Sequence, residues 1–151
     1  MKTKYVLLAV CLFCSSIGFA QNKLFNKYAD MDNVTSIYIS KAMFQMMPVI
    51  NNAGIDLMDL KGKIESLQLL TTDNKDRKAQ MKKDFSELVT SQLQELMRVK
   101  DDKSNVRFYS NTQGDQIKEL LMLVDDDDSF TAIQLVGNFT LKDIQKIAGK
   151  E

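Results

Sequence analysis

Four consecutive aspartates, Asp125–Asp128, stand between the apolar runs of "IKELLMLVDDDDSFTAIQLVG" and form the densest set of potential cation ligands in the chain. A calcium loop of the EF-hand kind needs oxygen ligands at alternating positions, a glycine at the sixth and a glutamate at the twelfth. Counted from Asp125, the sixth residue is Phe130 and the twelfth Val136; counted from Asp126, the fifth is Phe130 and the twelfth Gly137. Neither register fits. Neighbouring carboxylates also splay apart, so the stretch reads as a charged turn between two strands, where aspartate suits the backbone. Loose Ca²⁺ association by Asp125, Asp126, Asp127 and Asp128 is the alternative to that turn, and no cofactor is expected.

Two other groups invite chemistry. Met43, Met46 and Met47 are soft thioethers of the kind that selects Cu(I). No histidine exists to complete such a site, and methionines at helical spacing read as core packing instead. The short-loop acids Asp30, Asp32, Asp56 and Asp59 are of the type that works in pairs in glycoside hydrolysis. However, the chain has no tryptophan to serve as a sugar platform. The absence of histidine removes Ser-His-Asp and Cys-His nucleophiles and the usual zinc sets. Gly54, Gly62, Gly114, Gly137 and Gly149 are too scattered for a dinucleotide or phosphate loop. No catalytic or cofactor-binding residue is predicted, and the chain reads as a non-enzyme.

The N-terminus sets the compartment. Lys2 and Lys4 precede the apolar run "YVLLAVCLF", and "GFA" stands before Gln21. This is the pattern of a secretory signal peptide over residues 1–20, cleaved after Ala20. Val10 and Phe13 are too bulky to precede a lipid-modified Cys11 or Cys14. Both cysteines leave with the leader, so the mature domain, residues 21–151, is built without disulfides. The whole chain has 20 basic and 20 acidic residues. Losing Lys2 and Lys4 leaves about −2, with no basic footprint for nucleic acid. No further membrane span is expected.

The elements that position these residues follow from periodicity. Gln21–Asp32 reads as a short helix with Leu24, Phe25 and Tyr28 on one side, and "VTSIYIS" as a strand. "KAMFQMMPVI" is a short helix ended near Pro48. The Asn- and Gly-rich "NNAGIDLMDLKGK" is a loop. "IESLQLLT" is a second strand, after which Asp73 caps a long helix from Asn74 to about Val99. Its buried stripe comprises Met81, Phe85, Leu88, Leu96 and Val99, set against Leu121, Leu123, Ile133 and Leu135. Strands at Val106–Ser110, Ile117–Val124 and Phe130–Gly137 make an antiparallel meander, and Leu120–Val124 suggests a central strand covered on both faces. Thr140 with Asp143 forms a capping box for a last helix that carries Leu141, Ile144 and Ile147 inward and stops at Gly149. "NVT" and "NFT" match the eukaryotic glycosylation sequon, but the leader looks bacterial. They read as a strand start and a helix cap. The expected fold is α+β, one domain with a mixed sheet of about five strands and helices mainly on one face.

"FNKYADMDNVTSIYISKAMFQMMP" and "IKELLMLVDDDDSFTAIQLVGNFTLKDIQKIA" resemble the two ends of domain of unknown function 4252, exported proteins found mostly in Bacteroidetes. The resemblance implies periplasmic or outer-envelope location in a Gram-negative bacterium. It brings no substrate or site residue. Its members' association with envelope sigma and anti-sigma factors implies, as an alternative to a binding or interaction module, an accessory role in stress signalling. The carboxylate enzyme ranks third. The partner, an envelope protein or a small ligand, is unknown.

Overall fold

A computed structural model describes residues 19–46 and 62–148. The described chain forms one sheet flanked by four helices: α1 (Phe19–Ala29), β1 (Thr35–Ser40), α2 (Lys41–Met46), β2 (Ile64–Thr72), α3 (Lys75–Gln92), β3 (Gln94–Lys100), β4 (Ser104–Gln113), β5 (Gln116–Asp126), β6 (Phe130–Phe139) and α4 (Leu141–Ala148). Residues 1–18, most of the stretch expected as a signal peptide, lie outside this description, as do Met47, Pro48, the Asn- and Gly-rich loop up to residue 61, and Gly149.

The sheet order is β1-β2-β6-β5-β4-β3, and every neighbouring pair is antiparallel. From β2, α3 carries the chain to the far edge, and the last four strands meander back until β6 seats beside β2. The expected mixed sheet of about five strands is therefore corrected to six strands, all antiparallel. The extra strand comes from the C-terminal end of the expected long helix, from Gln94 onward. Leu93, Leu96 and Val99 continue the helical spacing of α3, but Leu93 is extended (φ −121°, ψ 153°) and its N–H closes the helix on Val89 O. Beyond it, Asp101 organises a tight turn. Its Oδ1 accepts the N–H groups of Lys103 and Ser104, each at 2.8 Å. This turn folds β3 back onto β4 from Gln94↔Ser110 to Lys100↔Asn105. A ladder of backbone hydrogen bonds thus replaces two helical turns. Leu96 and Val99 are exposed rather than core.

The N-cap of α3 also moves by one residue. Asn74, not Asp73, is extended and accepts the Arg77 N–H at 3.0 Å. The capping box of α4 is as expected: Asp143 N–H donates to Thr140 Oγ1 and Thr140 N–H to Asp143 Oδ2. Leu141, the first residue of that helix, is exposed rather than turned inward.

Directly opposed residues in an antiparallel ladder share a face, so the register sorts the sheet into two. On one face α1 and α3 bury Phe25, Tyr28, Met81, Phe85, Leu88 and Val89 against Leu70, Tyr109, Leu121, Leu123, Phe130 and Ala132. Phe85 is the hub, its ring 5.3 Å from Phe25, 6.2 Å from Tyr28 and 6.1 Å from Phe130. Ile133 and Leu135, expected under α3, lie on the opposite face, because Ala132 and Gln134 pair with Leu123 and Leu121. There Leu135 joins Leu120, Phe44, Ile64, Ile117 and Phe139 in a second cluster. Helices therefore pack on both faces, the two longest on one and α2 on the other. Among the methionines expected as core, Met43 and Met46 are exposed; Phe44 is the α2 residue turned inward.

Candidate functional site

β5 ends at Asp126 and β6 begins at Phe130, and the tip is closed by Asp126 N–H to Ser129 O at 3.0 Å. Asp127 and Asp128 are exposed. Asp125 faces α3, where Lys82 Nζ lies 2.6 Å and Lys78 Nζ 3.3 Å from its two oxygens. Burial raises the Asp125 carboxyl, but the two ammonium groups outweigh it and hold the pKa below the ordinary value. Lys78 also donates to the carbonyls of Asp126 and Asp127. The run is thus divided between a helix-facing anion gripped by lysines and a solvated tip. Among the described residues no group of three or more acidic, cysteine or histidine side chains is placed to hold a metal ion.

Beside Asp125 lies a cavity of about 90 Å³ between α3 and β4, lined by Lys82, Ser86, Asn105, Arg107, Tyr109, Leu123, Asp125 and Phe130. Asn105 and Arg107 are two residues apart on β4 and pair with Asp125 and Leu123, which places both on the helix-bearing face. Each brings a buried polar atom without a hydrogen-bond partner, Asn105 Oδ1 and Arg107 Nε. Arg107 also stands directly opposite Arg98. Glu95 is committed to Arg98, its two oxygens accepting from Nε and Nη2 at 2.9 and 3.0 Å. That fork lowers the Glu95 carboxyl. Sequence reasoning missed this pocket. The only signal was alternation in "NVRFY", which puts Asn105, Arg107 and Tyr109 on one face.

Two further depressions are polar. One of about 430 Å³ is lined by Asn33, Val34, Thr35, Thr71, Thr72, Asp73 and Ser129. Its Thr72 hydroxyl already donates to Asn33 O, and Thr71 is paired with Thr131. The other, about 270 Å³, lies where α3 ends, around Thr90–Gln94 and Ser110–Thr112. Of the four short-loop acids, Asp30 is exposed at the end of α1 and Asp32 in the turn after it. Neither lines these cavities, and Asp56 and Asp59 lie outside the described residues.

The largest feature is the second face of the sheet. One row of opposed side chains crosses all six strands: Ile37, Leu69, Ile133, Met122, Phe108 and Met97. The next row is Thr35, Thr71, Thr131, Val124, Val106 and Val99. Neither contains a charged residue, in a chain that is 26% charged. All of these side chains are exposed or half-buried, with Ile37 46% and Val99 50% accessible. The row beyond, through Leu67, Leu135 and Leu120, is the one that Phe44 helps cover. β5 is therefore central, as expected, but the described residues cover it fully only on its helical side. At the edge, β1 ("TSIYIS") carries no charge either, and Tyr38 is 64% exposed. No described helix is long and apolar enough to cross a membrane.

The family described as domain of unknown function DUF4252 matches residues 28–147, a span that contains all six strands, the acidic turn and the α3–β4 cavity. No curated protein matches the chain.

Proposed function

The chain belongs to this family of unknown function, and we propose that it is an exported, non-enzymatic protein-interaction module of the cell envelope. The observation that carries the reading is the uncharged face of the sheet. Strands about 4.8 Å apart and two rows about 7 Å apart make a patch on the order of 400 Å². The patch is uncharged, with Thr35, Thr71 and Thr131 its polar members, and it has the size of the largest surface patch of a monomer, which is often functional. Charge is missing throughout the two open rows, so a partner that meets them desolvates no ion. The fitting partner is a protein presenting an apolar, uncharged surface. The leader over residues 1–20 supports the location, and the uncharged edge β1 extends the same surface to the sheet margin.

The test uses the full chain in its native cells with a short-range crosslinker and mass spectrometry. Ile37→Lys and Met97→Lys introduce charge at exposed positions at opposite ends of one row. The expected result is a partner crosslinked to wild type and lost in both variants, whose melting temperatures match wild type. A partner recovered equally with both variants overturns the reading. Recovery of an anti-sigma factor would specify signalling, and recovery of a second copy would specify self-association.

A further inference from the structure

We propose that β1 is a self-pairing edge, joining antiparallel to the β1 of a second copy of this chain so that two sheets become one. This goes beyond the reading of the open face and does not rest on it, because edge pairing uses backbone groups and leaves that face free. Among the described residues β1 pairs with β2 alone and ends the sheet. Its outer side presents a row of N–H and C=O groups, the template to which another strand adds.

The two edges of the sheet are built differently. β3, at the far end, has Glu95, Arg98 and Lys100 among its seven residues and a register shift between Glu95 and Met97. Charge and irregularity are how an edge is kept from pairing. β1 has neither. Its six residues, "TSIYIS", include no charge and no proline, and its register runs unbroken from Thr35↔Thr71 to Ser40↔Ser66. Thr35, Ile37, Tyr38 and Ile39 are the types that suit a strand, and Tyr38 at the centre is 64% exposed.

The order of these residues selects a second copy as the occupant. "SIYIS", Ser36–Ser40, reads the same in both directions. A two-fold axis at Tyr38 sets Tyr38 opposite the partner's Tyr38, Ile37 opposite the partner's Ile39 and Ser36 opposite the partner's Ser40. Aromatic and β-branched pairs of this kind favour a ladder, and no charge meets a like charge. The contact is isologous and closes on two subunits. Tyr38 lies in the row of Gln68, Gln134 and Leu121, so its pair forms on the helix-bearing side of the joined sheet. Six residues at ~3.3 Å each give an edge ~20 Å long, and such a contact buries well under the ~800 Å² per partner of a standard interface. The dimer is accordingly weak and reversible.

The experiment uses the mature chain, residues 21–151, which lacks Cys11 and Cys14, so that an introduced cysteine is its single thiol. Directly opposed Cα atoms lie ~4.5–5.5 Å apart, within reach of a disulfide. Ile37 and the partner's Ile37 are diagonal neighbours, ~7–8 Å apart, and out of reach. With glutathione disulfide as oxidant, Tyr38→Cys should form a covalent dimer at least about tenfold faster than Ile37→Cys. It should exceed Met97→Cys, 41% exposed at the opposite edge, by as much. Sedimentation velocity of the wild type should show a dimer that grows with concentration. Tyr38→Lys, which sets two ammonium groups opposite each other, should weaken that dimer several-fold without lowering the melting temperature. A wild type that stays monomeric at every concentration, or equal crosslinking at the three positions, overturns the proposal. A dimer unmoved by Tyr38→Lys also overturns it, and assigns self-association to the open face.

Discussion

Phe85→Ala and Leu96→Ala test where α3 ends, because an uninterrupted helix places both in one buried stripe. Phe85 is fully buried, and three aromatic rings lie within 6.2 Å of its own. Removing such a ring costs ~3–5 kcal/mol through lost burial and the cavity left behind. Aromatic pairs contribute ~0.5–1.5 kcal/mol each beyond burial, which places Phe85 at the upper end, near 4–5 kcal/mol. Leu96 lies in an irregularity of β3 between Glu95 and Met97 and is 37% exposed. Its truncation should stay within about 1 kcal/mol. Urea titrations followed by circular dichroism measure both changes, provided the slope is constant between variants. Domains of this size hold ~5–15 kcal/mol in total, so Phe85→Ala should move the midpoint far and Leu96→Ala barely. Comparable losses at the two positions would refute the strand assignment of Gln94–Lys100. A loss below ~2 kcal/mol at Phe85 would refute the packing of α1 and α3 around it.

Three more outcomes follow from particular contacts. Asp125→Asn should cost about 1 kcal/mol and less in high salt, since it unpairs Lys78 and Lys82, whereas Asp127→Asn should be neutral; millimolar Ca²⁺ should leave the wild-type melting temperature unchanged. Lys63, with the Thr140 N–H, holds the Asp143 carboxyl at about 2. A depressed carboxylate stabilises the fold above its unfolded value of 3.8 and loses that contribution as pH falls toward 2. Asp143→Asn should therefore lower the melting temperature at pH 7 and converge on wild type near pH 2. Gly137→Ala should destabilise by ~1–3 kcal/mol in a thermal melt, because the new Cβ would lie 2.2 Å from Lys63 O and 2.6 Å from the Phe139 ring.

Among the described residues five of the six strands and all four helices were legible, and each was legible for a local reason. β-branched runs marked "VTSIYIS" and "IESLQLLT", and Thr140 with Asp143 marked a helix start that the side chains themselves enforce. β3 was not legible because "QLQELMRVK" satisfies both periods. Leu93, Leu96 and Val99 recur at three, while Met97 and Val99 alternate with Arg98 and Lys100 at two. The contest was decided by the Asp101 turn and the free edge of β4, partners that lie downstream in the chain. Register was hidden for a related reason. In Leu120–Val124 and Ala132–Val136 nearly every residue is apolar, so nothing local says which of Leu121 or Leu120, Ala132 or Ile133, faces α3. The α3–β4 cavity was hidden more deeply, since its charges, Lys82, Arg107 and Asp125, come from a helix and two strands.

That same lack of alternation is the reason to treat the second face as functional. An antiparallel sheet with one face in water alternates apolar and polar residues along each strand, and the open face of this sheet does not. Val106 and Phe108 on β4, Met122 and Val124 on β5, and Leu69 and Ile133 on β2 and β6 all lie on it, joined by register into continuous rows. The helix-bearing face, by contrast, admits Glu95, Arg98, Arg107 and Glu119. The fold thus keeps its ions on the side where helices and paired side chains accommodate them. Among the described residues the two open rows hold none, an arrangement that folding α1 and α3 onto the other face does not require. The proposed partner, if it covers that surface, accounts for both the missing charge and the continuity of the rows across every strand.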